Sequence, residues 1–139
     1  MKADSTHRLL ASLERCARSG DYLDTFYRLL FVKSPHFRTR FEMVDMDEQK
    51  RKLATSLPRL ILLPLLEPDA PEVEAVRREH RQRHTRGSKQ NYTLWLETVC
   101  ETVRRHDPEC DSELEYAFKT RLEQAVALLF PAAEATTER

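Results

Sequence analysis

The chain of 139 residues is long enough for one domain and too short for two. Its 23 basic and 23 acidic side chains cancel, which argues against a surface built for nucleic acid or anionic lipid. Only two glycines occur, Gly20 and Gly87, and this excludes the glycine-rich loops that cradle phosphates. The abundance of Leu, Ala, Glu and Arg favours helices, so we expect one all-α domain over residues 1–139.

The first third of the chain predicts three helices. Ser5 is the expected cap of the first, whose apolar positions recur three and four residues apart, and residues 19–21 are expected to end it. A second helix is predicted over residues 21–33. The pair Ser34-Pro35 is typical of a cap followed by a first helical position, and it predicts a short helix that leads into Phe41.

The rest of the chain predicts longer helices. Residues 45–66 are expected to form one, which begins at Asp45 or Asp47 and bends at Pro58, because proline removes a backbone hydrogen bond. Gly87-Ser88 is expected to separate two helices, one before it and one after it. The remaining predicted elements are a helix beginning at Pro71, helices over about residues 89–105 and 111–130, and a frayed tail over residues 131–139.

Three polar side chains fall on helix faces that are otherwise apolar, namely Tyr27, Gln49 and His80. Burying such a group without a partner costs about 1–3 kcal/mol, so each needs a reason to be there. For any one of them alone, a structural role in the core or at its rim is the commoner one. Their occurrence together, in this order, favours a functional site.

Spacing along the chain carries a resemblance to a known family. Tyr27 precedes Phe41 by fourteen residues, Gln49 is followed four residues later by Leu53, and His80 lies thirty-one residues after Gln49. Residues 92–96 then read Tyr-Thr-Leu-Trp-Leu, and Phe118 ends the sequence Glu-Tyr-Ala-Phe. In this order and spacing the chain resembles the globins, particularly single-domain bacterial haemoglobins of the three-over-three type.

The resemblance implies the globin fold, with about six to eight helices enclosing a haem pocket, and haem b as cofactor. His80 is then the expected iron ligand, and His84, one helical turn later, is the alternative. Lys52, Arg83 or His84 would pair with the haem propionates. The expected walls of the pocket are Phe37, Phe41, Leu53, Leu57, Val76, Tyr92, Leu96 and Phe118.

On the opposite side of the pocket, the resemblance implies that Tyr27 and Gln49 are hydrogen-bond donors for a diatomic ligand. Dioxygen is the expected ligand, with nitric oxide and carbon monoxide as others, and reversible binding for storage or transport is the expected role. Residues 45–66 contain no histidine, so that helix offers no second axial imidazole.

Several alternatives remain open. Nitric oxide dioxygenation would require an external reductase, weak peroxidase activity would require a better acid–base pair than Tyr27 with Gln49, and a haem-free sensor or interaction domain would need no His80. Residues 77–86 carry five arginines and one glutamate. Such a basic segment is typical of a solvated helix end or of a site that pairs with haem propionates, and it is less typical of a site that binds nucleic acid.

No signal sequence or membrane span is expected, and the three cysteines lack the spacing of a metal site or of covalent haem attachment. We therefore expect a cytoplasmic monomer or homodimer.

Overall fold

The computed structural model describes the backbone of residues 2–83 and 89–129, and the side chains of residues 5–79 and 91–129. Over these ranges the chain is helical and contains no strand. The elements are α1 (Lys2–Arg18), α2 (Tyr22–Lys33), α3 (Pro35–Arg40), α4 (Met46–Leu62), a 3-10 turn (Leu63–Leu65), α5 (Pro71–Arg83), α6 (Lys89–His106) and α7 (Ser112–Leu129).

The first helix starts earlier than the sequence suggested. Ser5 lies inside α1, so its predicted role as a cap is wrong; Lys2 and Ala3 are good helix formers, and the helix extends back through them. The predicted end is confirmed. Gly20 has a φ of +87°, the left-handed conformation that a residue without a Cβ adopts at little cost just beyond a helix.

Two predicted caps are confirmed by their hydrogen bonds. The Ser34 side chain accepts a bond of 3.3 Å from the backbone N–H of Phe37, with proline at the first position of α3. Asp45, rather than Asp47, caps α4, since its carboxylate accepts bonds from the backbone N–H groups of Asp47 and Glu48. Pro58 lies within α4 as expected.

The end of α4 differs from the prediction. The α-helix stops at Leu62, and residues 63–65 continue as a tighter 3-10 turn that contains Pro64. Proline has no N–H to donate to the preceding turn, which explains the change of geometry. The predicted separation at Gly87-Ser88, the end of the last helix at residue 130 and the tail over residues 131–139 lie outside the described residues.

The helices pack around one cluster of buried apolar side chains. α2 packs against α6, α6 against α7, and α1 against α4, α6 and α7, while α5 lies on α7. Phe26 and Phe118 are the largest side chains that are almost completely buried, and they anchor the centre of this core. No helix within the described residues is long and apolar enough to cross a membrane.

The three cysteines are free thiols. Cys16 and Cys100 are buried, and burial raises the pKa of Cys16 to about 12 and that of Cys100 to about 11. Cys110 is partly exposed, and burial raises its pKa as well. All three thiols are therefore protonated at neutral pH.

Candidate functional site

A cavity is lined by residues of α2, α3, α4, α5, α6 and α7, and it is called the inner cavity below. It has a volume of about 130 Å³. Its lining among the described residues is mostly apolar and aromatic, with a few polar groups. The lining residues are Phe26, Tyr27, Leu30, Phe37, Arg40, Phe41, Gln49, Lys52, Leu53, Ser56, Leu60, Glu79, Asn91, Tyr92, Trp95, Val126 and Leu129.

Two polar side chains meet inside this cavity. Tyr27, from the middle of α2, is only 5% exposed, and Gln49, in the first turns of α4, lines the cavity with it. Burial raises the pKa of Tyr27 to about 12, against the opposite effect of the nearby Gln49 side chain. The phenol is therefore protonated at neutral pH and retains a proton to donate.

Aromatic rings surround the Tyr27 side chain. The ring of Phe26 meets it edge-on with centroids 4.9 Å apart, and the rings of Phe31 and Phe41 each lie at 5.9 Å. Phe37 stacks on Phe41 at 6.4 Å. These contacts fix the orientation of the phenol and keep water from most of its surface.

The cavity has a charged mouth. Arg40, Lys52 and Glu79 belong to its lining and are exposed to solvent. The Lys52 ammonium lies 3.8 Å from the carboxylate of Glu48, one turn earlier in α4. This ion pair is exposed and therefore weak, so Lys52 is able to exchange Glu48 for an anionic group at the mouth.

The structure brings together seven of the residues that the sequence placed in the pocket: Tyr27, Phe37, Phe41, Gln49, Lys52, Leu53 and Tyr92. It places four others elsewhere. Leu57, Val76 and Phe118 are buried in the core outside the described lining of the cavity, and Leu96 lines a separate groove between α6 and α7.

The expected iron ligand and two of its neighbours fall where side chains are not described. His80 and Arg83 belong to α5, but the description of side chains stops at residue 79, and His84 lies outside the described residues. Helix geometry puts position 80 on the face that carries Val73 and Val76, which are both buried. Glu79, next to it, lines the inner cavity.

Sequence reasoning missed several lining residues. Trp95 and Val126 lie within predicted helices, and the pattern gave no sign that a cavity would open beside them. Arg40 directly precedes Phe41, and Asn91 directly precedes Tyr92, so proximity to a predicted residue was the only available signal for both. Polar residues near helix ends are common, and the spacing of these two does not distinguish a position at the rim of a cavity from one that only faces solvent.

A structural comparison settles the fold. The crystal structure of a protein from Pseudomonas aeruginosa PAO1, described as structurally highly homologous to a human haemoglobin, superposes with a TM-score of 0.80 at 27% sequence identity. The match covers 90% of this chain and 95% of that protein. The chain has the globin fold. No family model and no curated protein matches the sequence.

The chemistry of the inner cavity suits haem. Aromatic and aliphatic walls fit an apolar macrocycle, the two cations at the mouth fit its propionates, and Tyr27 with Gln49 offers donors to a small ligand. The volume of the cavity is smaller than haem requires, since pockets for ligands of comparable size enclose about 300–1,000 Å³. Haem would therefore have to part the walls of the cavity as it binds.

Proposed function

We propose that this globin-fold chain holds haem b in the inner cavity and binds dioxygen reversibly, with nitric oxide and carbon monoxide as further ligands. The observation that carries the proposal is the pair Tyr27 and Gln49, two polar side chains that line the same aromatic cavity. When bound, haem would supply an iron at which a diatomic molecule binds. Storage or transport of dioxygen follows as the role.

Tyr27 and Gln49 act as hydrogen-bond donors in this proposal. The pKa of Tyr27, raised to about 12, keeps the proton on its Oη throughout the physiological range. Packing between Phe26 and Phe41 holds the ring in place, so the donor loses little entropy when a ligand arrives. Both side chains line the same space, in which a diatomic ligand would accept their hydrogen bonds.

His80 is the proposed ligand of the iron. Its position on α5 shares a face with the buried Val73 and Val76, and its neighbour Glu79 reaches the inner cavity. His84 is the alternative ligand, since it follows one turn later. Lys52, together with Arg83 or His84, would hold the propionates near the charged mouth.

The visible spectrum of haem-reconstituted protein tests the proposal. We expect a Soret band that is lost in His80→Ala and retained in His84→Ala. His36→Ala is the matched control, because His36 is exposed on α3 and lies outside the described lining of the inner cavity. If the band is lost in His84→Ala alone, His84 is the iron ligand. If the unaltered chain takes up no haem, the proposal is contradicted.

The donor role has its own test. Tyr27→Phe removes one hydroxyl and keeps the ring, so we expect the dioxygen dissociation rate to rise about 10-fold or more, as for loss of a hydrogen bond to a partly charged acceptor. Stopped-flow or flash photolysis measures the rate. The effect should not add to that of Gln49→Leu, since both donors serve one ligand. An unchanged dissociation rate would show that Tyr27 does not donate a hydrogen bond to the ligand.

A haem-free domain for sensing or interaction is the second candidate. The observation in its favour is the modest size of the inner cavity, about 130 Å³. The two candidates differ in the same spectrum, because only the haem protein shifts and sharpens the Soret band of added haem.

A further inference from the structure

A second, larger cavity lies on the other side of α6. It is a groove between α6 and α7 with a volume of about 850 Å³, and it is called the α6–α7 groove below. Its floor is apolar, since Leu96 and Cys100 are both under 10% exposed and Val126 lies beside them.

Seven of the described residues that line this groove carry a charge, and four of them are paired. The Lys33 ammonium lies 2.8 Å from the Glu101 carboxylate, and Arg104 donates a hydrogen bond of 2.7 Å to Glu115. The other three are exposed to solvent, so the apolar floor is the surface that attracts an apolar solute; these three are Glu97, Lys119 and Glu123. A neutral, apolar molecule is the kind that such a floor takes up from water.

Two side chains belong to both cavities. Tyr92 of α6 and Val126 of α7 line the α6–α7 groove and also line the inner cavity. Both are partly exposed, so each has one side toward solvent. Together they form the partition between the groove and the space in which Tyr27 meets Gln49.

The two approaches to the inner cavity differ in charge. The mouth at Arg40, Lys52 and Glu79 is lined by full charges that hold water. The groove has charged walls, but its inner end, where it meets the inner cavity, is formed by Tyr92 and Val126, which carry no charge. A charged solute favours the first approach, and a neutral one the second.

We propose that the α6–α7 groove is the route by which small neutral molecules such as dioxygen reach the inner cavity, passing between Tyr92 and Val126. The partition opens when these two side chains move apart, while the charged mouth serves anions. The choice of dioxygen as the molecule rests on the proposed function, whereas the route itself requires no haem.

Trp95 provides the readout. It is the only tryptophan of the chain and lines the inner cavity, so quenching of its fluorescence reports which solutes arrive there. The experiment uses the full-length chain without added haem, with dioxygen as the neutral quencher and iodide as the anionic one. Circular dichroism confirms that each variant is folded.

Substitutions at Val126 test the partition in both directions. Val126→Phe adds a ring that must be displaced before the partition opens, and we expect the dioxygen quenching constant to fall about threefold. Val126→Ala removes two methyl groups and should raise that constant. Iodide quenching should stay unchanged in both. Val32→Phe is the matched control, because Val32 is 78% exposed and lies outside the described lining of both cavities.

The outcomes separate this proposal from the haem proposal. Equal dioxygen quenching in the unaltered chain, Val126→Phe and Val126→Ala would overturn the route, and so would parallel changes in dioxygen and iodide quenching. Should Val126→Phe fail to fold, the increase expected for Val126→Ala decides alone. Absence of a Soret band after haem addition would remove the proposed function and leave the quenching result intact.

Discussion

Two buried polar groups in this fold differ in how far hydrogen bonds offset the effect of burial. Asp107, at the turn between α6 and α7, is 2% exposed, and Tyr27, in the inner cavity, is 5% exposed. Burial alone raises the pKa of both, because it disfavours the charged form of an acid. The pKa of Asp107 nevertheless ends below its usual value, whereas that of Tyr27 ends well above.

Hydrogen bonds account for the difference. The Asp107 carboxylate accepts bonds from Ser12 Oγ at 2.5 Å, from Arg15 Nε at 2.6 Å and Nη2 at 3.0 Å, and from the backbone N–H of Glu109 at 2.9 Å. These donors outweigh the cost of burial and tie α1 to the α6–α7 turn. Asp107 is a structural group whose bonding capacity is filled.

Tyr27 has a much sparser setting. Gln49 is the side chain that opposes the rise in its pKa, and aromatic rings fill the space around it. A group held in this way is rigid in position and able to donate a hydrogen bond to a ligand. The contrast teaches that the completeness of hydrogen bonding, rather than burial, separates a structural polar residue from a candidate binding residue.

The largest effect on stability is expected at Asp107. Asp107→Ala leaves the partly buried guanidinium of Arg15 without its main partner, and we expect a loss of about 3 kcal/mol in the free energy of unfolding. Urea denaturation followed by circular dichroism measures it. Asp24→Ala is the control, because Asp24 pairs with Lys50 at an exposed site and should cost at most about 1 kcal/mol. Equal losses in the two variants would show that the Asp107 network is dispensable.

Acid should weaken the same network. The pKa of Asp107 is lower in the folded chain than in the unfolded one, so its contribution is present above the unfolded value of about 3.9 and is lost as the pH falls through the folded value. The difference in unfolding free energy between the unaltered chain and Asp107→Ala should therefore narrow as the pH falls from 5 toward 2. A constant gap would contradict the lowered pKa.

A smaller effect on stability is expected at Tyr27. Tyr27→Phe removes one hydroxyl and keeps every ring contact, so we expect a change of about 1 kcal/mol or less in the free energy of unfolding. Tyr116→Phe is the control at a residue that is 70% exposed. A loss as large as that of Asp107→Ala would make Tyr27 a structural residue and would remove the contrast drawn above.

The sequence predicted the helices well, for identifiable reasons. Caps such as Ser34 and Asp45 and the glycine at position 20 act within a few residues, and the structure uses all three. The start of α1 was wrong because Ser5 suits a cap but does not force one. Where a helix stops being regular, as at Pro64, depends on backbone geometry that residue types indicate only approximately.

The lining of the inner cavity was predicted in part. Tyr27 and Gln49 were singled out because a polar residue is unusual on an apolar helix face, and Phe41 because its spacing from Tyr27 matched a known family. Nothing in the sequence indicated the Asp107 network, since its partners Ser12 and Arg15 lie more than 90 residues away. Contacts of this kind arise from how helices pack, and one sequence does not record them.

The burial of Cys16 and Cys100 has a practical consequence. A thiol reacts through its thiolate, and the raised pKa values of these two residues leave very little of it at neutral pH. Cys110 is the partly exposed thiol near the α6–α7 turn. A maleimide-linked fluorophore or spin label should therefore attach at Cys110 first, and it would sit close enough to Asp107 to report when that end of the bundle loosens.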